Sequence, residues 1–423
     1  MEPDLTYRTF SLDSPMAPKD RKRQVYLIFY YTGLAILFPY SMIIAITDFW
    51  NYKLRDTSVP YDSSGPLTEA QKQLPSQLAM AGNVPLTALV LLTLVLGHRV
   101  GLRTRLLAAV TVETLAIGGV LLLAWLDTDT WQPLLVSLTI ALTALCSAAN
   151  AVFQASFLGN LGRFPANYIG GANDGMGLGT SLPALVALLV LALGPPPTVL
   201  GVAGVAAALL AVLLQLPATA HLFTSPFYLH YSGVQEPGPS PRDYLAVLAS
   251  TWHYQLALLT TFTVTLSVHP AVTALVRPSS SLASPWHDKY FVPVCCFLTQ
   301  AMSDWLGRSL ATLSQWPGPG RSTELLTLAT SLLRAAFLPL IMLCNVSPSN
   351  RRSAVLLGQD WLYVLLLVVF SLLGGFLTNL CYMLAPAKVS GGRREVAGLL
   401  LTTALVLGLG LGSLLGPGLV RLL

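Results

Sequence analysis

The chain is 423 residues long, 54% hydrophobic and only 10% charged, with a formal net charge of +5. A soluble domain usually carries about 25% charged residues, so most of this surface is built to meet lipid. No stretch resembles a nucleic-acid-binding surface, and the modest positive balance fits basic cytoplasmic loops.

The first two dozen residues are polar and end in Lys19-Asp20-Arg21-Lys22-Arg23. No cleavable leader with an early apolar core is expected there. Basic residues directly before the first apolar run predict that residues 1–25 form a cytoplasmic tail. Apolar runs of bilayer length, roughly 20 residues each, follow at 26–47, 78–97, 105–126, 132–157, 168–193, 198–217, 246–275, 289–313, 323–344, 360–385 and 396–420. The expected fold is therefore an all-α polytopic membrane protein with eleven spans. Starting inside, an odd number leaves the C-terminus extracellular or lumenal.

Loop charges agree with this orientation. His98, Arg99, Arg103 and Arg105 follow the second span, Arg163 the fourth, and Lys388, Arg393 and Arg394 the tenth, all inside. The outer loops carry Asp48, Asp56, Asp62, Asp127 and Asp129. Arg351 and Arg352 depart from the pattern, but one late loop does not overturn the majority. Trp50, Trp125, Trp131, Trp252, Trp286, Trp316 and Trp361 fall near span ends, as expected of an interfacial belt. Trp305 lies deep in the eighth span.

Two connections are long. Residues 48–77 read as an outer loop, and 218–245, with Pro237-Gly238-Pro239-Ser240-Pro241, as a cytoplasmic linker. The linker divides the chain into a six-helix bundle, 26–217, and a five-helix bundle, 246–423. Such halves suit a transporter that rocks about a midplane site. Pro39, Pro85, Pro183, Pro270, Pro293 and Pro339 are expected to kink their helices. The glycines of the run 170–179 allow close helix approach or a hinge.

Cys146, Cys295, Cys296, Cys344 and Cys381 sit in or beside apolar runs, without zinc-ligand spacing. They read as packing residues, with no disulfide. No metal site and no cofactor are expected, since neither HExxH nor GxxxxGK[ST] occurs.

The most informative residues are Asp304 and Arg308, an acid and a base inside the eighth span. A charge at membrane depth costs about 2.5–3.5 kcal/mol on insertion scales, so such a pair faces protein or a wet cavity. Four residues apart, the two share one helix face. Together they offer an acceptor and a forked donor to a hydroxylated solute. An ion pair that only holds helices together or gates a pore is the structural alternative.

From His269 to Pro317 the chain resembles the equilibrative nucleoside transporter family. The resemblance rests on Pro270-Ala271-Val272-Thr273, on Trp286 with Tyr290-Phe291-Val292-Pro293, on Cys296-Phe297-Leu298-Thr299, on Asp304 through Leu310, and on Trp316-Pro317. Arg334 with Phe337-Leu338-Pro339-Leu340, Leu343-Cys344-Asn345, and Lys388 with Glu395-Val396-Ala397-Gly398 extend it. Gly33, Pro39, Gln154 and Tyr168 carry a weaker likeness in the N-terminal half. The resemblance implies eleven helices in a six-plus-five arrangement related to the major facilitator fold.

It also implies roles. Asp304 and Arg308 match the family's ribose-contacting acid and base, and Gln154 matches a glutamine that hydrogen-bonds the nucleobase. Gln154 could equally serve as an interhelical hydrogen bond. Tyr40 stands where nucleoside carriers have tryptophan, so it and Ile44 become candidate substrate contacts at the outer end of the first helix. Ala301 replaces a family asparagine, and Met176 a fifth-helix glutamine. Asp174, two residues earlier, together with Glu113 and His269, is a candidate cation or proton site. Each has a structural alternative as a satisfied polar group, and Arg334 is expected to pair with an acid or snorkel.

The leading functional expectation is a non-enzymatic, facilitative carrier of nucleosides and nucleobases. A polyspecific organic-cation or monoamine carrier, or a proton-coupled nucleoside carrier of the same family, is the alternative. Expected partners are the small-molecule substrate and the bilayer, with the chain acting as a monomer. The plasma membrane is expected ahead of endosomal or lysosomal membranes. Tyr7-Arg8-Thr9-Phe10 has the form of a sorting signal, and Asn345-Val346-Ser347 is a sequon too near the ninth span to be used.

Overall fold

The computed structural model describes residues 18–58, 67–194, 196–233, 239–279, 284–346, 351 and 354–423. The Tyr7–Phe10 tetrad, Asp62, residues 234–238 of the linker, Ser347 of the sequon and Arg352 lie outside them. The described chain is helical almost throughout. In order it runs α1 (Gln24–Ala45), α2 (Thr47–Lys53), α3 (Glu69–Leu96), α4 (Leu102–Trp125), α5 (Gln132–Leu161), α6 (Ala166–Leu193) and α7 (Pro197–Leu222). Next come α8 (Pro226–Ser232), α9 (Pro241–Val268), α10 (Thr299–Ser314), α11 (Arg321–Leu333), α12 (Phe337–Met342), α13 (Asp360–Ala387) and α14 (Arg393–Leu422).

Local sequence sets several of these boundaries. Thr68 begins α3 with a capping box: its hydroxyl accepts from the Gln71 amide, and the Gln71 side chain accepts from the Thr68 amide. Ser240 and Asp243 do the same for α9. Gly194, in the left-handed region at φ 66°, closes α6. Pro39, Pro85 and Pro183 are carried inside continuous helices.

Among the described residues, ten helices are long and apolar enough to cross a membrane. The expected eighth span, 289–313, is not one of them. Two π-helical segments, Trp286–Tyr290 and Pro293–Leu298, lead into α10. The 16 residues of α10 rise only about 24 Å, short of a hydrocarbon core of about 30 Å. Pro293, which has no N–H to donate, opens the second of these wider turns.

Helices pack chiefly in pairs: α1 along α6, α10 along α13, and α9 along α14. The N-terminal core centres on rings such as Phe29, edge-on to Phe164 at 4.9 Å and to Phe157 at 5.4 Å. A second core gathers Val268, Phe291, Tyr363 and Phe370. Outward, large side chains such as Leu115, Leu193, Leu313 and Leu333 are exposed. In water that surface would be a liability; in a bilayer it is the expected coat.

Of the tryptophans expected in the belt, Trp125, Trp252, Trp286, Trp316 and Trp361 are exposed, whereas Trp50 is not. Trp50 is buried and donates its indole N–H to the Ile43 carbonyl at 2.8 Å. Position near a helix end does not say which way a ring faces. All five cysteines are free and buried.

Candidate functional site

The central pair forms as its spacing predicts. Arg308 Nε donates to Asp304 Oδ2 at 2.8 Å, with side chains only 7% and 18% exposed. Charge-assisted bonds of this kind are about twice as strong as neutral ones. Asp304 keeps a partly open carboxylate. The helix lies this deep because Gly375 of α13 has no side chain; a Cβ there would strike the Asp304 carbonyl. The backbones of α10 and α13 therefore touch at the height of the pair.

On its other side α10 meets α6. Arg308 Nη1 reaches toward the Asn173 carbonyl at 3.4 Å. Ser309 donates its hydroxyl to Asp174 Oδ1 at 2.6 Å. Farther along the seam Ser181 donates to the Ala301 carbonyl at 3.0 Å. Asp174 thus joins the Asp304–Arg308 group, as neither a helix cap nor an ion-pair partner: its bond is to a serine. Glu113 and His269 do not join it. Glu113 is buried between α4 and α5, where the Cys146 thiol lies 3.9 Å away. His269 closes α9, with Nδ1 3.0 Å from the Thr273 hydroxyl and 3.6 Å from the Cys296 sulfur.

Tyr40 sits against α3, where a Cβ on Gly82 would strike its ring. Its hydroxyl points to the Leu78 carbonyl at 3.5 Å. Ile44 is partly exposed at the end of α1, where its carbonyl accepts from Thr47. Gln154 is buried on α5. One face of that helix is anchored by Ser147, which donates to the Gly82 carbonyl at 2.7 Å, and by Asn150, which donates to the Ile36 carbonyl at 2.5 Å.

Arg334 does not snorkel, and among the described residues no acid is in ion-pair contact with it. It is fully buried, and its guanidinium donates to the carbonyls of Thr261 and Phe370 and to the Thr265 hydroxyl at 3.0–3.3 Å. The group also stacks 4.3 Å from the Phe370 ring. A forked, weakly hydrated cation suits such a site. Arg351, which broke the loop pattern, is similarly committed: it donates to the carbonyls of Cys344 at 3.0 Å and Met342 at 3.2 Å.

A second charged group escaped the sequence reading. Glu395, at the start of α14, is 2.6 Å from Arg163 and 3.9 Å from Arg105. It joins α14 to the first turn of α4 and to the loop after α5. Asp243 meets Arg393 at 3.0 Å. Buried Glu324 meets Lys388 at 2.7 Å and His253 at 3.4 Å. A cavity of 880 Å³ opens at this end, lined among others by His98, Arg105, Arg163, Asp243, Arg393 and Glu395. A second, of 680 Å³, lies by Lys53, Arg55, Trp125 and Asp129. Neither is lined by Asp304 or Arg308.

The chain matches the proton:xylose symporter XylE of the major facilitator superfamily with a TM-score of 0.59 at 11% identity, covering 92% of this chain and 87% of that one. It matches the major facilitator transporter FucP, in an outward conformation, with a TM-score of 0.52 at 10% identity, covering 93% and 91%. This is a multi-pass membrane protein with the fold of that class of transporters. A family profile described as nucleoside transporter matches residues 240–417. Over 94% of its length the chain is 28% identical to equilibrative nucleoside transporter 1 of Rattus norvegicus and 29% to equilibrative nucleoside transporter 2 of Homo sapiens, covering 97% of each. It is 26% identical to equilibrative nucleoside transporter 4 of Homo sapiens over 95% of its length. The chain is thus similar to equilibrative nucleoside transporters along nearly its whole length.

Proposed function

We propose that this protein is a facilitative carrier of nucleosides, with nucleobases as a further substrate class, working by alternating access. The observation that carries the reading is the Asp304–Arg308 pair, held 2.8 Å apart on a helix that also bonds to α6. The carboxylate accepts from ribose hydroxyls, and the guanidinium donates to sugar oxygens. Gln154, with a donor and an acceptor on one amide, serves the base. Tyr40 and Ile44 border the path at the end of α1.

The two π-helical segments and α10 together make an eleventh span, giving six helices in 26–217 and five in 246–423 with 218–245 as the inner linker. The tail 1–25 and the basic loops face the cytoplasm, and the C-terminus faces outside. The carrier acts as a monomer at the plasma membrane. Glu395, bridging α14 to Arg163 and Arg105, closes the cytoplasmic face in this conformation. Asp174 accepts from Ser309 through Oδ1 alone, so the organic-cation alternative would rest on its remaining oxygen. Uptake of tritiated uridine in transporter-deficient cells tests the reading. Uptake that saturates and that uridine inhibits supports it, and none at normal surface expression refutes it.

A further inference from the structure

Asn379 lies in the apolar run of α13, fully buried, and sits where α6, α10 and α13 meet. Its Nδ2 is 2.8 Å from the Arg308 carbonyl, 2.7 Å from the Thr312 hydroxyl and 3.2 Å from the Gly170 carbonyl. A primary amide has two N–H bonds, so three acceptors share two protons. The shortest two contacts are both on α10, and they bracket the turn that begins at Arg308. The third and longest reaches α6. Gly170 permits that approach, since a Cβ there would lie 2.9 Å from the Thr312 hydroxyl and 3.0 Å from the Met383 sulfur.

We propose that Asn379 is a positioning residue for Arg308: it fixes the α10 turn that carries the guanidinium and gives up only its Gly170 contact when α6 moves away. Both amide protons then stay satisfied on α10, so the separation leaves no buried donor unpaired. The guanidinium thereby keeps one bearing toward substrate through the cycle. The inference rests on the sugar-binding reading of Arg308 given above.

The test is competition binding on the purified full-length chain in lipid nanodiscs, with tritiated uridine as probe and 3′-deoxyuridine as competitor. Wild-type protein is expected to prefer uridine by about tenfold or more, the worth of a hydrogen bond to a charged group. Asn379→Leu, nearly the same volume without donors, is expected to bring that preference within about twofold of unity, and Asn379→Ser, which keeps one donor, to fall between. A packing role alone would lower the amount of folded protein and leave the preference intact. An unchanged preference in Asn379→Leu therefore overturns the proposal. If the leucine variant does not fold, an unchanged preference in Asn379→Ser overturns it equally. Wild-type protein that binds no uridine, or does not discriminate the missing hydroxyl, overturns the functional reading and this inference with it.

Discussion

Glu395 and Arg163 stand 2.6 Å apart, the first on the opening turn of α14 and the second just beyond the end of α5. Arg105 supports the same carboxylate at 3.9 Å while donating to Ser156 at 3.1 Å. One acid on a C-terminal helix is thus held by two bases from the N-terminal half. The link lies at the end where the basic loops gather.

Glu395→Gln tests whether this link biases the carrier toward a closed basic face. The pair is partly exposed, so its loss should cost about 0.5–1 kcal/mol, a two- to fivefold shift in the balance between states. Labelling of a cysteine placed in the 880 Å³ cavity should accelerate by about that factor. An unchanged labelling rate would remove the gate from the account.

Asp174 should matter as an acceptor rather than as a charge. Its Oδ1 receives the Ser309 hydroxyl at 2.6 Å, and an amide oxygen receives it as well. Asp174→Asn is expected to keep uridine uptake within about twofold of wild type, while Asp174→Ala loses about fivefold, roughly 1 kcal/mol for one hydrogen bond. Equal losses in both variants would assign the role to charge and reopen cation or proton coupling.

Arg334 should be a stability determinant. It satisfies the Thr261 and Phe370 carbonyls and the Thr265 hydroxyl with one fork. Lysine cannot span these acceptors. Arg334→Lys is expected to destabilise the purified protein by about 1–3 kcal/mol, read as a lowered melting temperature, without changing the relative affinity for uridine and 3′-deoxyuridine. A changed preference would place Arg334 in the substrate path.

Much of this was legible in the sequence. Asp304 and Arg308 could be placed on one face because four residues make about one helical turn, and the bond between them needs nothing outside α10. Asp174 was harder. Its own helix shows only that it points away from Met176, whereas its partner Ser309 is 135 residues distant. Asn379 gave no signal, since a neutral amide in an apolar run announces neither its burial nor its three acceptors. For Arg334 the reading assumed that a buried base needs an acid; the carbonyls that hold it carry no sequence mark. Of the eighth span the apolar run and Pro293 were visible, but not its division into two π-helical segments ahead of α10. Trp50 failed similarly, since it folds back on Ile43 rather than facing lipid.

The central claim is that Asp304 and Arg308 together bind the sugar of a carried nucleoside. Exchange of tritiated uridine across proteoliposomes, with equal uridine on both sides, measures this without any driving gradient. Asp304→Asn and Arg308→Lys should each slow exchange by about ten- to a hundredfold at matched protein content, the span expected when a hydrogen bond to a charged group is lost. Exchange at the wild-type rate in both variants would contradict the account.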